Sequence, residues 1–186
     1  MNFQITEYCH HVLEDYIKEG DTCIDATAGN GGDTEFLCRK VGETGKVYAF
    51  DVQEAAIAHT RERLKKASLD QRAELILDGH EKMQTYIKEE VQAITFNFGY
   101  LPGGDHKIAT HAATSLIAIK SALNLLQKGG VINLCIYSGG DTGYEEKEAI
   151  LKYLKELDSR KWLVIVNAYY NRKNDPPLPV FIYRLK

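Results

Sequence analysis

Apolar and polar positions along the chain alternate between two periods, and the switching predicts strands separated by helices. Short apolar runs at Thr22-Cys-Ile24, Lys46–Asp51, Ala73–Leu77 and Val91–Phe98 read as strands. Ahead of the first, Tyr8, Val12, Leu13, Tyr16 and Ile17 lie at helical spacing, predicting an amphipathic helix over 6–19 with Thr6 as its cap and Gly20 as its stop. Helices are expected near 33–41, over 54–67 with Ala56, Ile57, Thr60 and Leu64 on one face, and near 81–89. A long helix near 108–127 carries Leu116, Ile117, Ile119, Leu123 and Leu126 and stops at Gly129-Gly130; the strand Val131–Tyr137 follows it. A charged helix over 145–157 then leads to two closing strands, 162–170 and 180–185. Four strands joined through helices imply a parallel sheet with right-handed crossovers, so a ligand would sit outside the carboxyl ends of the strands.

The first such end carries Asp25-Ala-Thr-Ala-Gly-Asn-Gly-Gly-Asp-Thr34, a glycine turn between a strand and a helix. Gly29, Gly31 and Gly32 allow positive φ and close approach of a ligand to the main chain, and Asp33 or Thr34 can cap the helix that follows. An ordinary strand-to-helix connection would look much the same. A dinucleotide fingerprint needs a third glycine where this chain has Thr34, and the carboxylates of Asp25 and Asp33 suit a cation better than a pyrophosphate. S-adenosyl-L-methionine (SAM) is such a cation. The pattern Asp25-x-x-x-Gly29-x-Gly31 resembles the first motif of class I SAM-dependent methyltransferases.

Later strand ends add to this reading. Asp51 lies about twenty residues past the glycines, where a carboxylate can accept both hydroxyls of a ribose in NAD and SAM sites alike; Gln53 could touch the same sugar or serve the helix start. Asp78-Gly79-His80 follows the third strand; there an Asp can accept from an adenine amino group and an imidazole can stack, although such a tripeptide also makes plain turns. Asn97-Phe-Gly-Tyr100 resembles the Asn/Asp-Pro-Pro-Tyr/Phe turn of amino-methylating enzymes, with Phe98 and Gly99 replacing both prolines. In such a turn the Asn oxygen accepts from a target amine and the aromatic stacks on a base. Tyr100, Asp105 or an ordered water could pass on the amine proton.

Composition bounds the rest. At 186 residues, 44% hydrophobic and 26% charged, the chain fits one α/β domain spanning 1–186. Without a membrane-length apolar run or a basic-then-apolar start, it is expected in the cytoplasm. Cysteines 9, 23, 38 and 135 are scattered, and the six histidines lack ligand spacing, so neither a disulfide framework nor a metal site is expected. The net charge is −3, yet residues 1–100 hold 11 basic against 18 acidic side chains and residues 101–186 hold 12 against 8. The second half can therefore offer a nucleic-acid face, with Arg172 and Lys173 beside Tyr169 and Tyr170 to hold phosphates and stack bases; solvated helix surfaces and a proline-stiffened turn account for the same residues.

Taken in order, the glycine turn, Phe50-Asp-Val-Gln53, Asn97-Phe-Gly-Tyr-Leu-Pro-Gly-Gly-Asp105, the loop Ser138–Tyr144 before Glu145-Glu146, and Asn174-Asp-Pro-Pro-Leu178 resemble one group. This is the MnmM (YtqB) family of bacterial SAM-dependent tRNA methyltransferases, some of which carry the label rRNA methylase. Departures are Ser138 and Gly139, where relatives are expected to have His and Pro, and Gly79, where a larger polar residue is expected.

The resemblance implies a Rossmann-like class I methyltransferase: a mostly parallel seven-stranded sheet with an antiparallel last strand and helices on both faces. It further implies conversion of 5-aminomethyl-2-thiouridine to 5-methylaminomethyl-2-thiouridine at the tRNA wobble position. Residues and resemblance together nominate Asp25, Ala28, Gly29, Asn30, Gly31, Asp33, Thr34, Asp51, Gln53, Asp78, Gly79 and His80 for SAM; Asn97, Tyr100 and Asp105 for catalysis; and Tyr100, Lys107, Tyr137, Arg172 and Lys173 for the anticodon stem-loop. No RNA-binding appendage is evident, so a homodimer is expected in which one subunit helps hold RNA for the other. Methylation of rRNA, protein or a small amine, and a NAD-binding or catalytically silent nucleotide-binding module, are the competing readings.

Overall fold

Val91–Phe98, a run with almost every side chain removed from water, is the strand on which both layers of the core are built. The computed structural model describes residues 4–98, 111–138, 143–173 and 175–186. Along the chain they form α1 (Ile5–Glu14), β1 (Thr22–Asp25), α2 (Gly32–Val41), β2 (Lys46–Asp51), α3 (Glu54–Lys66), β3 (Ala73–Leu77), α4 (Met83–Tyr86), β4 (Val91–Phe98), α5 (Ala112–Leu125), β5 (Leu126–Ile136), α6 (Gly143–Lys155), β6 (Trp162–Val166) and β7 (Leu178–Arg184). The described strands make one seven-stranded sheet in the order β3-β2-β1-β4-β5-β7-β6. Pairing is parallel from β3 through β5, and β7 runs antiparallel to both β5 and β6.

Successive residues of β4 serve opposite faces, as the period of a strand demands. Ile94, Phe96 and Phe98 enter one apolar layer with Met83 and the buried sides of α5 and α6. Ala93 enters the other, with Cys9 and Leu13 of α1, Leu37, Cys38 and Val41 of α2, and Leu64 of α3. Each fully buried Phe contributes on the order of 2–3 kcal/mol, and both Phe96 and Phe98 give it to the α5–α6 layer. Asn97 falls on the α1–α3 face by the same alternation, one residue before the strand ends.

Several predicted boundaries move, each for a tertiary reason. Helix α1 starts after Gln4, includes Thr6 and gives way after Glu14 to turns in which the Tyr16 and Ile17 amides both donate to the Leu13 carbonyl. The helix expected near 81–89 is a 3-10 turn over His80–Lys82 followed by the four residues of α4. Helix α5 stops at Leu125 and β5 begins at once, because Leu126 pairs with Val91 in the ladder; Gly129 and Gly130 then lie inside the strand at its irregular start. Strand β6 ends at Val166, short of Tyr170. No helix among the described residues is long and apolar enough to cross a membrane.

The turn from α2 into β2 is sterically closed at Gly45, where a Cβ would lie 2.5 Å from the Val41 carbonyl oxygen and 2.6 Å from that of Asp21. Backbone atoms cannot yield as a flexible side chain would. Gly45→Ala is expected to cost about 1–3 kcal/mol in urea unfolding, the usual penalty of overpacking, without affecting the distant strand tips.

Candidate active site

Four strands deliver polar side chains to one edge because they run in parallel. Asp25 closes β1 and pairs in register with Ala49 of β2 and Thr95 of β4; Asp51 closes β2 opposite Leu77, and Asp78 follows that residue. Asn97 sits opposite Cys135 near the end of β4. The sheet order reverses between β1 and β4, the place where open α/β sheets leave a crevice.

The glycine turn is pinned from both sides. The Ala26 amide donates to the Thr95 carbonyl at 2.9 Å and the Ala28 amide to that of Phe50 at 2.8 Å. Gly29 and Gly31 take φ of 53° and 77°, values that a side chain would make costly. The Gly29 amide donates to Asp51 Oδ2 at 2.9 Å, and the Gln53 amide donates to Oδ1 at the same distance. Asn30 is exposed, and an added methyl on Gly32 would meet nothing within 4 Å, so the start of α2 faces open space.

Capping did not take the predicted form. Gly31 is the N-cap residue of α2 with no side-chain cap, because both candidates are engaged elsewhere. Thr34 donates its hydroxyl to Asp25 Oδ2 at 2.6 Å, while the Thr27 amide donates to Oδ1 at 3.1 Å. Asp33 accepts from Asn97 Nδ2 at 2.8 Å and from His10 Nε2 at 2.7 Å. Thr27 also uses its hydroxyl to accept the Asn97 amide at 2.7 Å. His10, Thr27 and Phe36, on whose ring His10 stacks at 3.9 Å, were missed by sequence reasoning. A histidine on the N-terminal helix has no spacing to the glycine turn that would reveal it.

Asp25 is fully buried. Desolvation, with Asp33 and then Asp51 close by, pushes its carboxyl from 3.8 up to about 7 against the opposing pull of Thr34 and Thr27. Among the described residues, no Lys or Arg bonds to Asp25, Asp33 or Asp51. Three carboxylates beside an open helix start form a donor set that fits a cationic adenosyl ligand with ribose hydroxyls and would repel a pyrophosphate.

Asp78 accepts from Lys82 at 2.6 Å, from Tyr86 at 2.8 Å and from the Gly79 amide; Lys82 and then Tyr86 bring its carboxyl down to about 2. His80 is turned inward rather than displayed in the crevice. Its Nδ1 lies 3.1 Å from the Ala26 carbonyl, and Phe96 and Phe98 meet its ring edge to face. A carbonyl only accepts, so Nδ1 carries the hydrogen; burial lowers the ring's pKa, and His80 braces the turn from below.

On the far side, the Tyr137 amide donates to the Phe98 carbonyl at 3.2 Å, which sets that residue beside the end of β4. The Arg172 guanidinium lies 5.2 Å from the centre of the Tyr169 ring, whose buried hydroxyl has no hydrogen-bond partner among the described residues. Lys173 and the fully exposed Tyr170 are neighbours in the same connection. Tyr100, Asp105, Lys107, most of the second glycine loop and Asn174 lie outside the described residues.

A parallel sheet reversing at β1/β4, a glycine turn on β1 and carboxylates at the tips of β1 and β2 define the class I methyltransferase fold. The family model described as "Putative rRNA methylase" matches residues 47–183. The chain belongs to that family, the MnmM (YtqB) group whose motif order it shares. It is 38% identical over 97% of its length to the tRNA (mnm(5)s(2)U34)-methyltransferase, chloroplastic, of Arabidopsis thaliana, spanning 69% of that protein. A "putative rRNA-methylase" from Clostridium thermocellum superposes with a TM-score of 0.97 at 45% identity, each chain covered completely. A "putative methyltransferase" from Streptococcus mutans in complex with SAH superposes at 0.90 with 40% identity, again over both whole chains.

The raised Asp25 carboxyl has a thermodynamic signature. Between 3.8 and about 7 the folded state holds more protons than the unfolded one, so stability falls as pH rises through that window. Asp25→Asn removes the titration. The wild-type stability relative to this variant is expected to decline from about pH 4.5 to about pH 7.5, by no more than about 1.4 kcal/mol per pH unit, in parallel urea titrations. A flat difference would mean that Asp25 is ionised throughout.

Proposed function

We propose that this protein is a SAM-dependent N-methyltransferase that converts 5-aminomethyl-2-thiouridine to 5-methylaminomethyl-2-thiouridine at the wobble position of tRNA. The observation that carries the reading is the anchored carboxamide of Asn97, set between the glycine turn and the end of β5 with its nitrogen bonded to Asp33 at 2.8 Å. That bond leaves Oδ1 as the end offered to an incoming amine. The Arabidopsis relative, named for this modified wobble uridine, supports the choice of acceptor.

The cofactor supplies an electrophilic methyl group on a sulfonium. Asp51 and Gln53 would hold the ribose, Asp78 with Gly79 the adenine side, and Asp25 with Ala28, Gly29, Asn30 and Gly31 the cationic end. His80, Asp33 and Thr34 support that set from within the protein. An aliphatic amine is mainly protonated near neutral pH, by comparison with a Lys reference of about 10.4, and must lose a proton before it can attack. Asn97 Oδ1 accepts an N–H and so directs the remaining lone pair, and alignment of this kind supplies most of the acceleration in a displacement that needs little acid-base help. Tyr100 and Asp105 are the nominated proton acceptors. Tyr137, Lys107, Arg172 and Lys173 would meet the anticodon stem-loop, and the guanidinium stacked on Tyr169 is already presented on an aromatic platform suited to RNA.

The same reading places the protein in the cytoplasm with its tRNA and makes it a homodimer. The exposed apolar side chains Leu163 and Ile165, on the outward face of edge strand β6, are a surface that a second subunit could cover. A monomeric mass by light scattering at assay concentrations would overturn the dimer. The rRNA label of the family keeps rRNA as the second acceptor to test.

Methyl transfer from labelled SAM to bulk tRNA and to rRNA, both from cells lacking the activity, followed by nucleoside mass analysis, is expected to add one methyl to 5-aminomethyl-2-thiouridine alone. Asn97→Ala should lower kcat by about a hundredfold while changing SAM affinity less than about threefold. Asp51→Ala should do the reverse, weakening SAM binding about tenfold or more through the lost hydroxyl contacts. Unaltered turnover in Asn97→Ala would remove that residue from the mechanism.

A further inference from the structure

We propose that His10 is a positioning residue for methyl transfer, acting through Asp33 to hold the Asn97 carboxamide in the one orientation that presents its oxygen to the amine. The inference rests on the acceptor role of Asn97 given above and extends it to α1, an element that no motif connects with the chemistry.

An ionised carboxylate can only accept hydrogen bonds. Asp33 therefore dictates what both neighbours show it: His10 must turn a protonated Nε2 toward Oδ1 at 2.7 Å, and Asn97 must turn its NH2 toward Oδ2 at 2.8 Å. Rotating the Asn97 amide by half a turn would set its oxygen against a carboxylate oxygen and lose a charge-assisted bond in a site where Asp33 is only 9% exposed. Such a rotated amide would offer the substrate amine a donor where it needs an acceptor.

The imidazole is itself held in place. Its ring lies parallel to that of Phe36, with centroids 3.9 Å apart and an interplanar angle of 3°. Asp33 and Phe36 are three residues apart on α2, so they sit on one face of the helix and grip the imidazole between a carboxylate and an aromatic ring. The backbone of Asn97 is fixed separately by the Thr27 hydroxyl. What the His10–Asp33 pair adds is the rotation of the carboxamide, which a backbone bond cannot set. Without His10, Oδ1 of Asp33 loses its partner and the carboxylate is free to turn, taking the amide with it.

The plain alternative is that His10 only ties α1 to α2. The two roles separate in four measurements on the full-length protein. His10→Ala is expected to lower kcat about tenfold with SAM affinity, by calorimetry, within about threefold of wild type, because a misaimed acceptor affects turnover rather than cofactor binding. His10→Gln, whose amide nitrogen can replace Nε2, should restore most of that loss. In an Asn97→Ala background, His10→Ala should cost less than about twofold further, since there is no carboxamide left to orient. In the ligand-free protein, the side-chain NH2 resonances of Asn97, assigned by their disappearance in Asn97→Ala, should shift in His10→Ala and return in His10→Gln.

Wild-type turnover in His10→Ala, or a tenfold loss that persists undiminished in the Asn97→Ala background, would overturn the proposal and leave His10 as a packing residue. Unmoved Asn97 resonances in His10→Ala would overturn it on geometry alone. Full turnover in Asn97→Ala would sink the acceptor reading and this inference together, whereas loss in Asn97→Ala with full turnover in His10→Ala would sink only the latter.

Discussion

Two carboxylates at adjoining strand tips, Asp25 and Asp51, and a third, Asp33, in the first turn of α2, with no lysine or arginine bonded to them among the described residues, are the constraint around which this structure is arranged. Such a cluster is unfavourable by itself: burial penalises each charge, and each carboxylate raises the cost of the next. The fold meets that cost with hydrogen-bond donors. Asp25 receives the Thr34 hydroxyl and the Thr27 amide, Asp51 receives the amides of Gly29 and Gln53, and Asp33 receives His10 and Asn97. The glycine turn is therefore as much a donor array for its own acids as a path for a ligand. A cation entering the crevice relieves the remaining repulsion, which connects the stability of the site to its chemistry.

The two sides of β4 divide structural and chemical work. Ile94, Phe96 and Phe98 go to the layer beneath α5 and α6, where His80 also lies, bracing the Ala26 carbonyl. Ala93 and Asn97 take the other face, beneath α1 and α2, so the proposed amine acceptor shares its layer with the histidine and aspartate that orient it. Because strand period is two, a one-residue shift in β4 would turn Asn97 into the apolar layer beneath α5 and α6 and turn Phe96 and Phe98 to the opposite face. The parallel register of β4 with β1 thus sets the chemistry as well as the core.

Much of this was legible in the sequence for local reasons. Apolar runs of strand length separated by helical spacing determined the order of elements and the parallel core of the sheet. The glycine turn, Asp51, Asp78 and Asn97 were legible because each stands at or just past the end of a strand, and a parallel sheet brings such ends to one edge. Boundaries were less legible where a partner outcompetes local preference: β5 claims Leu126 and the glycines beyond it because Val91 offers a ladder, and α2 goes without a side-chain cap because Thr34 and Asp33 have buried partners.

The chain alone thus determined which residues stand at the strand tips, since that depends only on periodicity and turn chemistry. Tertiary structure decided what those residues do to one another. It turned His80 inward, bound Asp78 to Lys82 and Tyr86, and brought His10 to Asp33 across 23 positions and Asn97 to Asp33 across 64. Contacts of such separation carry no signature in spacing. They exist because two helices and a strand pack on one face of a sheet, and that packing is a property of the assembled core.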